Sequence, residues 1–184
     1  MEQKLYDTVT DCPVIAAIKD DAGLERCLDS DIQIVFVLYG DIVSIPEIVD
    51  RIKKKGKLAM VHADLISGLA GKEIAIDFLK RNTQADGIIS TKLSFIKRAK
   101  ELGMATVFRF FVIDSMAFDN IQKQYEAACP DFVEILPGIM PKIIAKVAKM
   151  VSAPVIAGGL IAEKAAIEAG AISISSTNQN TWFI

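Results

Sequence analysis

Eight short β-branched runs, each followed by a stretch with helical apolar spacing, recur along almost the whole chain, and no other feature restricts its fold as tightly. The runs are Val14 to Ile18, Ile32 to Leu38, Leu58 to His62, Gly87 to Ser90, Ala105 to Val112, Phe132 to Leu136, Val155 to Ala157 and Ala171 to Ile174. Several are apolar without interruption, as strands buried on both faces of a parallel sheet must be. Between them, Ile45, Ile48, Val49 and Ile52, and again Ile143, Ile144, Val147 and Met150, mark one face of a helix. Pro46 and Pro141 fall where a first helical turn tolerates proline, and Gly56, Gly103 and Gly170 fall where helices hand over to strands. The pattern predicts an α/β protein, a compact TIM-like (β/α)8 barrel. At about 23 residues per unit the repeat is short for a fold that usually needs ~250 residues. A seven-stranded or incompletely closed barrel is therefore a variant of the same reading, and an open doubly wound sheet is the alternative. Thr177 to Ile184 supplies at most a stub of an eighth helix.

No linker, low-complexity tract or charge block divides the chain, so residues 1–184 are expected to form a single barrel domain. No apolar run reaches the ~18 residues of a membrane span, and the N-terminus, with Asp7 and Asp11, lacks the apolar stretch of a secretory signal. A soluble cytoplasmic protein without membrane contact is the expectation. Cys12, Cys27 and Cys129 are odd in number and share no CxxC spacing, which points to reduced packing residues. The net charge of −2 gives no general attraction to nucleic acid.

In a barrel the C-terminal strand ends converge on one face, so their polar residues are read together. They are His62 and Asp64 after the third run, Ser90, Thr91 and Lys92 after the fourth, Arg109 in the fifth and Glu134 in the sixth. Residues two apart on a strand share a face, so His62 and Asp64 are expected to face one centre. Arg109 is placed to pair with Glu134 or to take an anion on its planar fork. The last two strand ends carry Gly158-Gly159 and Ser175-Ser176-Thr177-Asn178, residue types that let backbone N–H groups approach a phosphate, with a short helix start beside them. A metal held by His62, Asp64 and Glu134 is chemically possible, but the three form no dedicated spacing, and none is expected. No P-loop, no GxGxxG and no spaced Ser or Cys nucleophile accompanies them.

Taken in order, the strings Val61-His62-Ala63-Asp64-Leu65-Ile66-Ser67-Gly68, Gly87-Ile88-Ile89-Ser90-Thr91-Lys92, Glu134-Ile135-Leu136-Pro137-Gly138-Ile139 and Ile156-Ala157-Gly158-Gly159 resemble the glycerol-3-phosphate-responsive antiterminator family, the glycerol uptake operon antiterminator regulators. The resemblance runs from Pro13 to about Trp182. It implies a TIM-like barrel that binds glycerol 3-phosphate as effector, then leader mRNA, and prevents premature termination in glycerol-utilisation operons. It also implies a regulator rather than an enzyme, with no cofactor.

Under it, the backbone of Gly158 and Gly159 with Ser175, Ser176, Thr177 and Asn178 would hold the phosphate. His62, Asp64, Glu134 or Arg109 would recognise the hydroxyls, with Ser90, Thr91 and Gly138 completing the ligand-binding set. The segment after Gly159, Leu160-Ile161-Ala162-Glu163-Lys164, is about a turn shorter than in the family. The RNA face would fall on the stripe Lys142, Lys146 and Lys149, or on Lys97 and Arg98, positions that also suit solvated helix ends. Two other readings stay open: a phosphosugar isomerase, epimerase or aldolase, and a phosphate-ligand sensor that has lost RNA binding.

Overall fold

All eight runs become strands and the strands close on one another. The computed structural model describes residues 2–160 and 163–183. Its elements are α1 (Glu2–Asp11), β1 (Val14–Ile18), α2 (Asp21–Leu28), β2 (Ile34–Val37), α3 (Ile45–Lys54), β3 (Leu58–His62), α4 (Ile74–Asn82), β4 (Gly87–Ser90), α5 (Leu93–Glu101), β5 (Ala105–Phe111), α6 (Ser115–Ala128), β6 (Phe132–Leu136), α7 (Pro141–Met150), β7 (Val155–Gly158), α8 (Glu163–Glu168), β8 (Ser173–Ser176) and a closing 3-10 helix, Gln179–Phe183. Every neighbouring pair of strands is parallel, and β8 returns to β1 through Ile174 opposite Val14 and Ser175 opposite Ile15. The barrel is thus a closed, eight-stranded (β/α)8 barrel, not seven-stranded or open.

The eighth strand lies two residues beyond the run read as strand. Gly170, at φ +106, turns the chain out of α8, and the Ala171 N–H donates to the Ala166 carbonyl. Ala171, read as the start of the strand, is thereby spent on closing the helix. Ser175 and Ser176 consequently belong to the strand and not to a loop.

Two apolar shells hold the barrel. Alternate strand residues fill the interior, among them Ile15, Ile34, Phe36, Met60, Ile89, Val107, Phe132 and Ile156. The residues between them pack outward against the helices, where Ile45, Ile48, Val49 and Ile52 of α3 and Ile144 and Val147 of α7 are buried. Helix α1, which no strand–helix alternation announces, closes the barrel's N-terminal end: Val9 joins the interior cluster and the Tyr6 ring stacks on Phe132 at 6.5 Å. The 3-10 helix takes the place of an α-helix after β8, and the Trp182 indole N–H donates to the Ser176 carbonyl at 2.9 Å.

No described helix is long and apolar enough to cross a membrane. Of the cysteines only Cys27 is buried; Cys129 is exposed at the left-handed C-cap of α6 (φ +46), which revises its reading as a packing residue.

Candidate functional site

Strand alternation sorts the polar residues of the barrel. On β5 Val107 faces the axis, and so does Arg109; on β6 Phe132 does, and so does Glu134; on β8 Ile174 faces out, which turns Ser175 in. The register sets Arg109 opposite Glu134 on neighbouring strands and Gly158 opposite Ser175. Arg109 Nε donates to Glu134 Oε2 at 2.5 Å, and Ser175 Oγ donates to Glu134 Oε1 at 2.5 Å. Glu134 has no exposed surface and Arg109 is 6% exposed. A buried pair of this kind adds little net stability for its desolvation.

Gly158 serves this network. A Cβ at that position would lie 2.6 Å from Glu134 Oε1 and 2.8 Å from Ser175 Oγ, so only glycine lets the carboxylate lie against β7. Gly138 is committed as well: its N–H donates to the carbonyls of both Gly158 (2.7 Å) and Gly159 (2.8 Å), which fastens the β6–α7 loop to the β7–α8 loop. The Leu136–Pro137 bond in that loop is cis.

At the C-terminal mouth a cavity of about 260 Å³ opens over Arg109. Ala17, Leu38, Leu136 and Leu160 form its apolar walls; Gly159, Ser175, Ser176, Thr177, Asn178 and Thr181 form the rest. Among the described residues Arg109 is the one charged residue in the lining, and none of them brings a carboxylate to it. Among the described residues neither Nη of Arg109 donates to protein. The volume lies below the roughly 300–1,000 Å³ typical of drug-sized sites, which suits a small metabolite. Gly159 and Leu160 both adopt left-handed backbone (φ +62 and +46) at the rim, a conformation that costs a leucine about 1 kcal/mol or more. Ser176 Oγ accepts from the Asn178 N–H at 3.1 Å, and the Asn178 carbonyl accepts from Thr181, so the β8 exit folds over its own side chains. Residues 161 and 162 of the shortened segment lie outside the described residues.

Seven of the expected ligand residues lie outside the cavity lining: His62, Asp64, Ser90, Thr91, Glu134, Gly138 and Gly158. Asp64 lies beyond the end of β3, so the alternation that aims His62 inward does not carry to it. Its carboxylate instead accepts from the Thr91 N–H at 2.7 Å, the Ser90 hydroxyl at 3.0 Å and the Thr91 hydroxyl at 3.1 Å, with Lys92 Nζ at 3.4 Å. Ser90 faces the helices, one residue out of step with the inward Ile89. Asp64, Ser90 and Thr91 thus tie the β3–α4 loop to the β4–α5 loop. Burial pushes the Asp64 carboxyl up, but the Thr91 and Ser90 hydrogen bonds with the charges of His62 and Lys92 outweigh it and leave it below its ordinary value.

His62 faces the barrel interior, 3% exposed, without lining the cavity. Among the described residues its Nδ1 has no hydrogen-bond partner. Burial first, and the Arg109 charge second, lower its pKa to about 4 against the pull of Asp64. The imidazole is therefore neutral at neutral pH. Among the described residues no three His, Cys, Asp or Glu side chains converge as a metal-ligand set.

The lysine stripe of α7, Lys142, Lys146 and Lys149, is exposed, and among the described residues none of the three pairs with a carboxylate; Lys146 lies over the Phe118 ring at 5.8 Å. Arg98 is different. It is held by Asp77 at 2.6 Å and Glu101 at 2.8 Å, so it is not free for RNA, while Lys97 beside it is exposed. Of the cavity residues, sequence reasoning missed Ala17, Leu38, Leu136, Leu160 and Thr181. Leu38 ends a strand run and Ala17 alternates with Ile15, signals that the chain does carry; Thr181 had none.

Residues 14–182 match the family described as glycerol-3-phosphate responsive antiterminator. The chain is 47% identical over 174 residues to the Escherichia coli (strain K12) protein YgcP, covering 92% of this chain and 91% of that protein. Among solved structures it is similar to the glycerol uptake operon antiterminator regulatory protein of Listeria monocytogenes, at 34% identity and a TM-score of 0.89 over 92% of this chain and 94% of that one. A glycerol uptake operon antiterminator-related protein of Thermotoga maritima matches at 34% identity and a TM-score of 0.80 over 93% and 98% of the two chains.

Proposed function

The chain belongs to the glycerol-3-phosphate responsive antiterminator family, and from that premise we propose that it is an RNA-binding regulator of glycerol-utilisation genes whose barrel cavity takes glycerol 3-phosphate as its effector. The observation that carries the reading is the cavity itself: small, placed at the C-terminal mouth, and lined, among the described residues, by one cation and no acid. Neutral hydroxyl and amide groups at Thr177, Asn178 and Thr181 suit a polyol, and the arginine suits its phosphate. The site is read as a sensor and not a catalyst, because Glu134 is spent on Arg109 and Ser175 and the neutral His62 does not reach the cavity. The exposed stripe Lys142, Lys146 and Lys149, unpaired among the described residues, supplies the surface for a leader mRNA, where phosphate contacts provide much of the affinity.

Filter binding of the protein to the leader RNA of a glycerol-utilisation operon, with and without glycerol 3-phosphate across a salt series, tests this directly. Binding that strengthens with the effector and weakens steeply with salt is the expected result. Absence of binding under both conditions, with the protein folded, would leave a ligand sensor without an RNA partner.

A further inference from the structure

We propose that the anionic group of the effector seats on Arg109 at the cavity floor, that Glu134 is the positioning residue for this seat, and that the neutral end of the ligand faces Thr177 and Asn178 at the rim. The inference rests on the reading of this cavity as the effector site and adds which end of the ligand goes in first. It runs against the expectation that the glycine-rich loop after β7 cradles the phosphate.

Three observations carry it. First, a guanidinium has five N–H donors, and the one hydrogen bond that Arg109 makes to a described residue is through Nε, to Glu134. The Nη donors of a residue only 6% exposed thus remain for an oxyanion, the group whose several acceptor oxygens match a fork. Second, Glu134 does not line the cavity, and its two oxygens receive Arg109 and Ser175, both at 2.5 Å. Its role is to fix the direction of the fork. Third, the backbone that would otherwise cradle a phosphate is partly used up: the Gly138 N–H bridges the carbonyls of Gly158 and Gly159, and the Asn178 N–H is on Ser176. Gly158 lies outside the cavity lining and backs the Glu134 carboxylate. Gly158 thus contributes to anion binding through Glu134, at one remove.

Calorimetry on the full chain with glycerol 3-phosphate, inorganic phosphate and glycerol separates the possibilities. Arg109→Gln alone would bury an unpaired carboxylate, so the test variant is the doubly neutral Arg109→Gln with Glu134→Gln. It is expected to weaken both glycerol 3-phosphate and inorganic phosphate by about 10- to 100-fold, the worth of charge-assisted hydrogen bonds. Asn178→Ala is expected to weaken glycerol 3-phosphate and leave inorganic phosphate unchanged. Gly158→Ala is expected to weaken both anions, and the shorter Glu134→Asp combined with it is expected to restore them, which a phosphate cradled on Gly158 would not allow. Unfolding midpoints confirm that each variant is folded.

Undiminished phosphate binding by the doubly neutral variant overturns the inference while leaving the effector site standing. Phosphate binding lost in Asn178→Ala as fully as in the doubly neutral variant also overturns it. Failure of the unaltered protein to bind glycerol 3-phosphate removes the effector reading, and this inference with it.

Discussion

His62 Nδ1 stops 3.8 Å short of Asp64 Oδ2, too far for a hydrogen bond, although the two residues are neighbours at the end of one strand. The gap leaves a buried ring nitrogen without a partner among the described residues and a histidine whose pKa falls from the ordinary 6.5 to about 4. Between those two values the unfolded chain carries a proton that the native chain refuses. Stability is therefore full above pH 6.5 and falls as the pH drops toward 4, by about 3 kcal/mol at most. Asp64, held below its ordinary value, adds a loss of the same sign at still lower pH. Because the chain has one histidine, a single imidazole resonance reports the effect. Its NMR titration midpoint is expected near 4, and a midpoint near 6.5 would refute the assignment of burial and Arg109 as the cause.

Gly87 starts β4 inside the barrel, where a Cβ would lie 2.3 Å from the Ala105 carbonyl oxygen and 2.6 Å from Met60 Cε. Gly87→Ala is expected to cost about 3 kcal/mol, because a backbone carbonyl on the neighbouring strand has to move. Gly103→Ala, with open space around it but φ +66, is expected to cost about 1 kcal/mol. Urea midpoints of the two variants, measured side by side, check the ranking.

Trp182 is the one tryptophan, and its indole N–H is bonded to the carbonyl of Ser176, a cavity residue, while Thr181 next to it also lines the cavity. Filling the cavity is expected to shift Trp182 fluorescence in a saturable way on titration with glycerol 3-phosphate. Trp182→Phe is expected to abolish the signal and to destabilise the fold by roughly 1–3 kcal/mol, since the buried carbonyl loses its donor. A titration without any spectral change would argue that the 3-10 helix does not sense the cavity.

Replacing Lys142, Lys146 and Lys149 together by glutamine is expected to weaken leader-RNA binding and to flatten its dependence on salt, by roughly 0.7–0.9 in log–log slope for each RNA phosphate that is no longer neutralised. Arg98→Gln should leave RNA affinity as it was and lower the thermal midpoint instead, because Asp77, buried beside it, loses its partner. Filter binding at several salt concentrations and a melting curve distinguish the two roles. Equal RNA loss in both variants would move the RNA face toward α5.

The barrel was legible in the order of residues alone. Uninterrupted apolar runs such as Val14 to Ile18 and Ile34 to Leu38 read as strands covered on both sides, and eight β-branched runs with amphipathic stretches between leave few ways to bury the apolar faces. The pairing of Arg109 with Glu134 was legible too, because each sits on an alternation long enough to fix its facing. The rest of the site came from how the chain packs. Alternation ends where a strand ends, so nothing local told that Asp64 would turn away from His62 to hold Thr91. Nor did anything local place Ser175 inside the barrel, since that followed from Gly170 and Ala171 being needed to close α8. Gly158 reads as a phosphate glycine until Glu134 is seen to fill the space its missing side chain leaves. Residue types record what chemistry a position can perform, and only the closed barrel fixes the distances at which one residue uses up another's hydrogen bonds.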